Sequence, residues 1–234
     1  MIEVKGLRFA WPRAGRSCLE IEGFNVGAGE AVFLHGPSGS GKSTLLGLLA
    51  GVLVPASGQV SLMGTEWASL APSRRDALRA DHVGYVFQQF NLLPYLSVLD
   101  NALLPLRFSA LRRTRARKSA GGDGADAARQ LLREVGLADA LHGRAAGALS
   151  VGQQQRVAAA RALVGRPELV IADEPTSALD ASRRDGFVEL LLRECRAASS
   201  ALVFVSHDLA LAARFDRTIA LHAINRAAGE GDDS

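Results

Sequence analysis

A chain of 234 residues with 48% hydrophobic content is long enough for an ample core, in one globular α/β domain with an inserted subdomain. The formal charge of +3 is modest, no apolar run approaches the roughly 20 residues that a membrane helix needs, and the N-terminus reads directly as strand rather than as a signal peptide. Two cysteines, Cys18 and Cys195, give neither a disulfide framework nor a metal spacing and fit a reducing cytosol.

In chain order, Ile2 to Val26 reads as antiparallel strands and turns, with Leu7, Phe9 and Trp11 on one alternation face. The apolar run Ala31 to Leu34 reads as a buried strand, and Ser43 to Ala50 as a helix closed by Gly51. Between them, Gly36, Pro37, Ser38, Gly39, Ser40, Gly41, Lys42, Ser43 and Thr44 fit GxxxxGK[ST] in full. Strand, glycine loop and helix together make a phosphate cradle. The glycines let backbone N–H groups turn inward and the helix N-terminus adds positive potential. Lys42 is placed to reach the β- and γ-phosphates of a nucleotide, and the Ser43 hydroxyl to ligate Mg²⁺. The first half of this core extends from Ala31 to about Phe87.

The segment from about Gln88 to Gln155 is helix-rich and predicts an inserted subdomain. It opens with the apolar, proline-punctuated run Leu92-Leu-Pro-Tyr-Leu96, which a soluble protein tends to bury against something. Arg107 to Lys118 then holds six basic residues and no acidic ones, followed by Gly121-Gly-Asp-Gly124. Such a run reads as a solvated face or flexible loop, with contact to anionic lipid heads as the competing reading. Ser150 reads as the N-cap of a helix whose free N–H groups can bind an anion. Leu169 to Ala172 suits a central parallel strand that delivers Asp173 and Glu174 at its C-terminal edge, where open α/β sheets bind ligands. The apolar strand Ala201 to Val205 ends in Ser206-His207-Asp208, which is no hydrolase triad because neighbours on a strand point to opposite faces. Gly229 to Ser234 is an acidic, polar tail expected to be disordered.

The run Leu149-Ser-Val-Gly-Gln-Gln-Gln-Arg-Val157, its Ala-rich sequel, and Leu169-Val-Ile-Ala-Asp-Glu-Pro-Thr-Ser-Ala-Leu-Asp180 resemble the ATP-binding subunits of ABC transporters. The resemblance runs from Val4 to about Leu221. It implies a P-loop NTPase core with a mostly parallel sheet, an N-terminal antiparallel β region and an inserted helical subdomain, the core comprising about 1–87 and 156–228 and the insertion about 88–155. It also implies an ATPase that uses ATP and Mg²⁺, sits in the cytoplasm on the inner face of the membrane through separate permease subunits, and has no nucleic-acid partner.

Residue by residue, the resemblance makes Glu174 the general base, Asp173 an outer-shell or water-mediated partner of Mg²⁺, and Gln88 the glutamine that contacts Mg²⁺ and the attacking water. His207 matches the histidine that bonds the γ-phosphate and supports Glu174. Trp11 matches the aromatic that stacks on adenine, with Trp for the commoner Tyr; the competing reading packs it on the core. Ser150, Gly152 and Gln153 lie in the LSGGQ motif and would hold the γ-phosphate of the other subunit in a head-to-tail dimer with two ATP molecules. Here Val151 replaces the first glycine, which suits binding in trans if the position keeps a negative φ. Asp180 would couple one subunit's site to the other's.

The stretch Phe90 to Leu106 looks like the ATPases of the lipoprotein-release and macrolide-export group. ATPases of polar amino-acid importers resemble it too. A soluble ABC ATPase of DNA repair or translation would carry a long coiled-coil insertion or two ATPase domains in one chain. A module that binds ATP without hydrolysing it sits poorly with an intact Lys42, Asp173, Glu174 and His207.

Overall fold

The computed structural model describes residues 1–12, 16–177 and 179–229. In chain order its elements are β1 (Ile2–Phe9), β2 (Leu19–Val26), β3 (Ala31–His35), α1 (Lys42–Leu49), β4 (Ser57–Leu62), β5 (Thr65–Glu66), α2 (Pro72–His82) and β6 (Val83–Val86). The helical stretch follows with α3 (Val98–Phe108), α4 (Ala110–Ala120), α5 (Gly124–Glu134) and α6 (Val151–Leu163). The chain returns through β7 (Leu169–Asp173), α7 (Ala181–Ala198), β8 (Ala201–Val205), β9 (Arg217–Ala220) and α8 (Leu221–Ile224). The acidic tail expected to be disordered lies, from residue 230 on, outside the described residues.

Two sheets result. Strands β2, β1, β4 and β5 form an antiparallel sheet in that order, and β6, β7, β8, β3 and β9 form a parallel one. The parallel strands carry no polar alternation because both faces are covered, and β8 is buried throughout. Their period of two instead sorts side chains between two cores. Val32, Leu34, Ile171, Val203 and Val205 face α1 and the antiparallel sheet. Phe33, Val170, Ala172, Leu202 and Phe204 face α6 and α7. Asp173 follows Ile171 by two residues, so it shares the α1 face at the open edge of the sheet.

The basic run is neither a flexible loop nor a wholly solvated face. It closes α3 and forms α4, and its first turn is folded inward. Arg112 is only 2% exposed, and its guanidinium donates to the carbonyls of Val164 (2.8 Å), Ala162 (2.6 Å) and Val83 (3.4 Å). It thereby satisfies carbonyls left over at the C-terminus of α6, and burial pushes its pKa down to about 10. Gly165 (φ 75°) makes room for it, since a Cβ there would stand 2.6 Å from that of Arg112. One turn on, Arg115 donates to Glu168 at 2.6 Å, and Glu168 also bonds His82 Nδ1 at 2.8 Å. Arg107, Arg113, Arg117 and Lys118 are the exposed remainder. Asp123 caps α5 in a reciprocal capping box with Asp126.

Candidate nucleotide site

The loop between β3 and α1 is shaped by glycines that cannot be exchanged. Gly39 and Gly41 have φ of 77° and 98°, and a Cβ on Gly41 would lie 2.8 Å from Leu19 Cδ2. Gly41 stands at the N-cap without a capping side chain, so the first N–H groups of α1 have no partner of their own. Lys42 is 7% exposed, and its ammonium donates to the carbonyls of Gly36 and Pro37, both at 2.9 Å. Ser40 Oγ is buried and has no hydrogen-bond partner among the described residues. Free N–H groups, an orphaned hydroxyl and an ammonium parked on its own loop together fit a polyanionic phosphate chain. Thr44 is buried beside Cys18, whose thiol donates to its hydroxyl at 3.8 Å.

Across the loop stands the end of β7. Glu174 has a left-handed backbone (φ 46°), which for a non-glycine stores about 1–3 kcal/mol of strain. The kink is pinned by its N–H donating to Val205 O at 3.1 Å. It brings the Glu174 carboxylate 3.9 Å from Lys42 Nζ and 2.6 Å from His207 Nε2, which donates to it. The neighbours of His207 hold it from both sides: Ser206 Oγ accepts from the Asp208 N–H at 3.1 Å, and Asp208 pairs with Arg184 of α7 at 2.6 Å.

Asp173 ends β7 beside Ser43 and Tyr85. Burial raises its pKa above the ordinary carboxylate value and the charge of Glu174 adds to the rise, while the Ser43 hydrogen bond, Lys42 and the Tyr85 hydrogen bond oppose it. Tyr85 itself is pushed far up, by burial first and then by the Asp173 charge. Among the described residues no group of three or more His, Cys, Asp and Glu could enclose a metal. The hard oxygens of Ser43 and Asp173 fit Mg²⁺ in the manner in which that ion is usually held, by one or two protein groups together with substrate phosphates.

The other expected residues fall into three places. Trp11 lies beyond the end of β1, 46% exposed, with its ring edge-on to Phe9 at 5.2 Å and 88°. It is therefore not a core strand residue, and it lines a cavity of about 910 Å³ shared with Ser43, Thr44, Tyr85 and Phe87. Gln88 is exposed in the turn after β6, with no hydrogen bond among the described residues. Ser150, Gly152 and Gln153 line a different cavity, beside α7. Ser150 and Gln153 form a capping box, and Val151 opens α6 with a negative φ, which meets the condition for anion binding there. Asp180 caps α7, accepting from the Arg183 N–H at 3.0 Å; its neighbour Ala178 lies outside the described residues. Sequence reasoning missed Tyr85 and the kink at Glu174.

The description "ABC transporter" matches residues 19–177 of this chain. The chain belongs to the ABC transporter family. A lipoprotein-releasing system ATP-binding protein, LolD of Bordetella pertussis, is 47% identical, with 83% of this chain and 80% of the relative covered. LolD of Novosphingobium aromaticivorans is 40% identical over 95% of this chain and 96% of its own length. The ABC transporter ATP-binding protein YbbA of Escherichia coli K12 is 45% identical over 84% and 82%. Among solved structures, the dimeric post-hydrolysis state of the ATP-binding cassette MJ0796 with ADP and Pi superimposes with a TM-score of 0.78, at 33% identity and 94% coverage of each chain. This chain is thus an ATP-binding ABC ATPase subunit with the P-loop NTPase fold.

Proposed function

We propose that this chain is the motor of a lipoprotein-release or macrolide-export type transporter, closing as a head-to-tail dimer on two ATP molecules and driving a separate membrane subunit. The observation that carries the hydrolytic reading is the Glu174 carboxylate, held by His207 at 2.6 Å and facing Lys42 at 3.9 Å at the mouth of the phosphate loop. On ATP binding, Lys42 exchanges the Gly36 and Pro37 carbonyls for β- and γ-phosphate oxygens. Glu174 accepts the proton of the attacking water, His207 fixes its orientation and bonds the γ-phosphate, and Gln88 positions the water. Mg²⁺, held by Ser43 and Asp173 with Gln88 beside it, supplies neutralisation of the phosphate charge when bound. Trp11 offers its exposed ring to the adenine.

Ser150, Gly152 and Gln153 border a cavity other than that of Ser43, and MJ0796 is a dimer with ADP and Pi, which supports completion of the site in trans. Asp180, at the start of α7, would relay between the two sites. We divide the chain into a core of about 1–87 and 156–228 and an inserted subdomain of about 88–155; α3, α4 and α5 pack on one another, while α6 touches both parts. The membrane subunit would dock on the cavity wall where Val52, Phe87 and Phe108 are exposed. On the run Leu92 to Leu96, Leu92 packs into the core and Asn101 ties Leu93 through both its N–H and carbonyl at 2.9 and 3.0 Å, while Pro94 and Tyr95 (76% exposed) are exposed. The subunit would then lie on the cytoplasmic face of the membrane; no described helix is long and apolar enough to cross it. The lipoprotein assignment rests on the LolD relatives.

The test is Glu174→Gln. ATP affinity should persist while turnover falls by about 10²–10⁴-fold, so that dimers accumulate in ATP and Mg²⁺ by light scattering. Hydrolysis near the wild-type rate would remove Glu174 from the role of base.

A further inference from the structure

Arg184 stands in the first turn of α7, where a helix dipole favours anions and this helix has none. A cation there does not steady the helix that carries it. Its N–H donates to the Asp180 carbonyl at 3.0 Å, which fixes the residue to the helix cap. Its guanidinium turns away from α7: Nη1 pairs with Asp208 Oδ2 at 2.6 Å, while Nε is buried without a partner among the described residues. Asp208 is therefore what holds the cation.

Asp208 in turn organises the loop that follows β8. Its N–H donates to Ser206 Oγ at 3.1 Å, and its Oδ1 caps the 3₁₀ turn Leu209–Arg214 by accepting from the Ala210 N–H at 3.0 Å. Arg214, at the far end of that turn, pairs with Asp185 at 3.2 Å. Two neighbouring residues of α7 thus grip the loop with opposite charges, so a slide of the loop along the helix would bring like charges together. Between Ser206 and Asp208 lies His207, half exposed, with its Nε2 2.6 Å from Glu174 Oε1. Among the described residues no other charged group pairs with it.

We propose that Arg184 is a positioning residue for His207: by pairing with Asp208 it fastens the histidine loop to the first turn of α7 and so aims the imidazole at Glu174. This rests on the roles of Glu174 and His207 given under Proposed function. An imidazole carried by a loop keeps its aim only while the backbone on both sides is fixed. A displacement of about 1 Å at a reacting group costs as much as about 10²-fold in rate, so the ion pair acts on catalysis without touching the nucleotide.

The experiment measures phosphate release from ATP by the full chain, with KM and the melting temperature alongside. Arg184→Met keeps the stem and removes the charge. Asp208→Asn weakens the pair while keeping an acceptor for the Ala210 N–H, and it carries the same test should Arg184→Met fail to fold. Each should lower kcat about tenfold with KM within about twofold of wild type. The melting temperature should stay within about 4 °C, because a partly exposed pair adds little stability. Arg184→Lys should recover most of the rate, since only one guanidinium nitrogen is used. Asp185→Asn opens only the outer pair and should leave kcat within about twofold. His207→Ala should lower kcat about 10²-fold, and Arg184→Met added to it should cost less than about twofold more, because both act through one group. A wild-type rate in the Arg184→Met or Asp208→Asn protein, an equal loss in Asp185→Asn, or a further loss of about tenfold on top of His207→Ala would overturn the positioning role. If His207→Ala alone hydrolyses ATP at the wild-type rate, the catalytic reading of His207 fails, and the role of Arg184 with it.

Discussion

Lys42 is nearly buried without a close counter-charge: two loop carbonyls at 2.9 Å hold it and the nearest carboxylate is at 3.9 Å. The arrangement is poised for a stronger anion, because a charged acceptor outbids neutral carbonyls for the same donor. Lys42→Ala should therefore reduce ATP turnover by about 10²–10³-fold while circular dichroism and melting temperature stay near wild type. A well-folded variant with retained activity would exclude the loop as the phosphate site. At this scale the sequence was legible wherever chemistry is local. The glycine loop, Lys42 and Ser43 form one continuous pattern, and Asp173 and Glu174 follow an apolar strand. Tyr85 was illegible because Asp173 sits on another strand, and only the pairing of Tyr85 with Ile171 brings the two residues to one face of the sheet. The left-handed turn at Glu174 was hidden for the same reason, since the bond to Val205 that imposes it comes from a strand about thirty residues away.

Among the elements, the strands and the helix around the nucleotide loop follow the apolar runs closely, Ala31–His35, Leu169–Asp173 and Ala201–Val205 being too short and too apolar for anything but buried parallel strands. The basic helix was harder. Charge pattern alone favours solvent, and nothing in Arg107 to Lys118 says that α6 ends against it with carbonyls to satisfy. Glu168 is the clearest consequence of that packing. Burial would raise its pKa, but hydrogen bonds from Arg115 and His82 outweigh burial and hold it below the ordinary value. A depressed carboxylate contributes stability above its unfolded pKa of about 4.3, and that contribution is lost as pH falls through the folded value. Glu168→Gln should thus cost about 1–2 kcal/mol at pH 7 in urea unfolding, with the gap to wild type closing toward pH 3. A gap that stays constant across this range would mean that the ionised carboxylate is not what joins α2, α4 and β7.

The whole molecule presents half of each proposed site: a phosphate loop on one cavity, and Ser150, Gly152 and Gln153 on another. A single subunit can therefore be made defective in two separable ways. Gly152 lies in α6 at a point where an added Cβ meets nothing within 4 Å, so Gly152→Asp should leave the monomer intact and place a carboxylate where the γ-phosphate of the other subunit would come. Lys42→Ala destroys the loop and leaves Ser150 and Gly152 untouched. Each variant alone should be nearly inactive. Mixed in equal amounts, half of the dimers pair one of each, and in those the loop of the Gly152→Asp chain faces the intact Ser150 end of the Lys42→Ala chain. Activity should return to about a quarter of wild type if the sites act independently, as a two-fold head-to-tail interface requires. Recovery at this level, measured as phosphate release after mixing and equilibration, would fit a site shared between subunits. A mixture no more active than its components, with heterodimers demonstrated by differential tagging, would mean either that each subunit builds its site alone or that one intact site cannot turn over without the other. Glu174→Gln in place of Lys42→Ala separates these two, because a chain that binds ATP without hydrolysing it still closes the dimer, and its partner's site then has to fire in company.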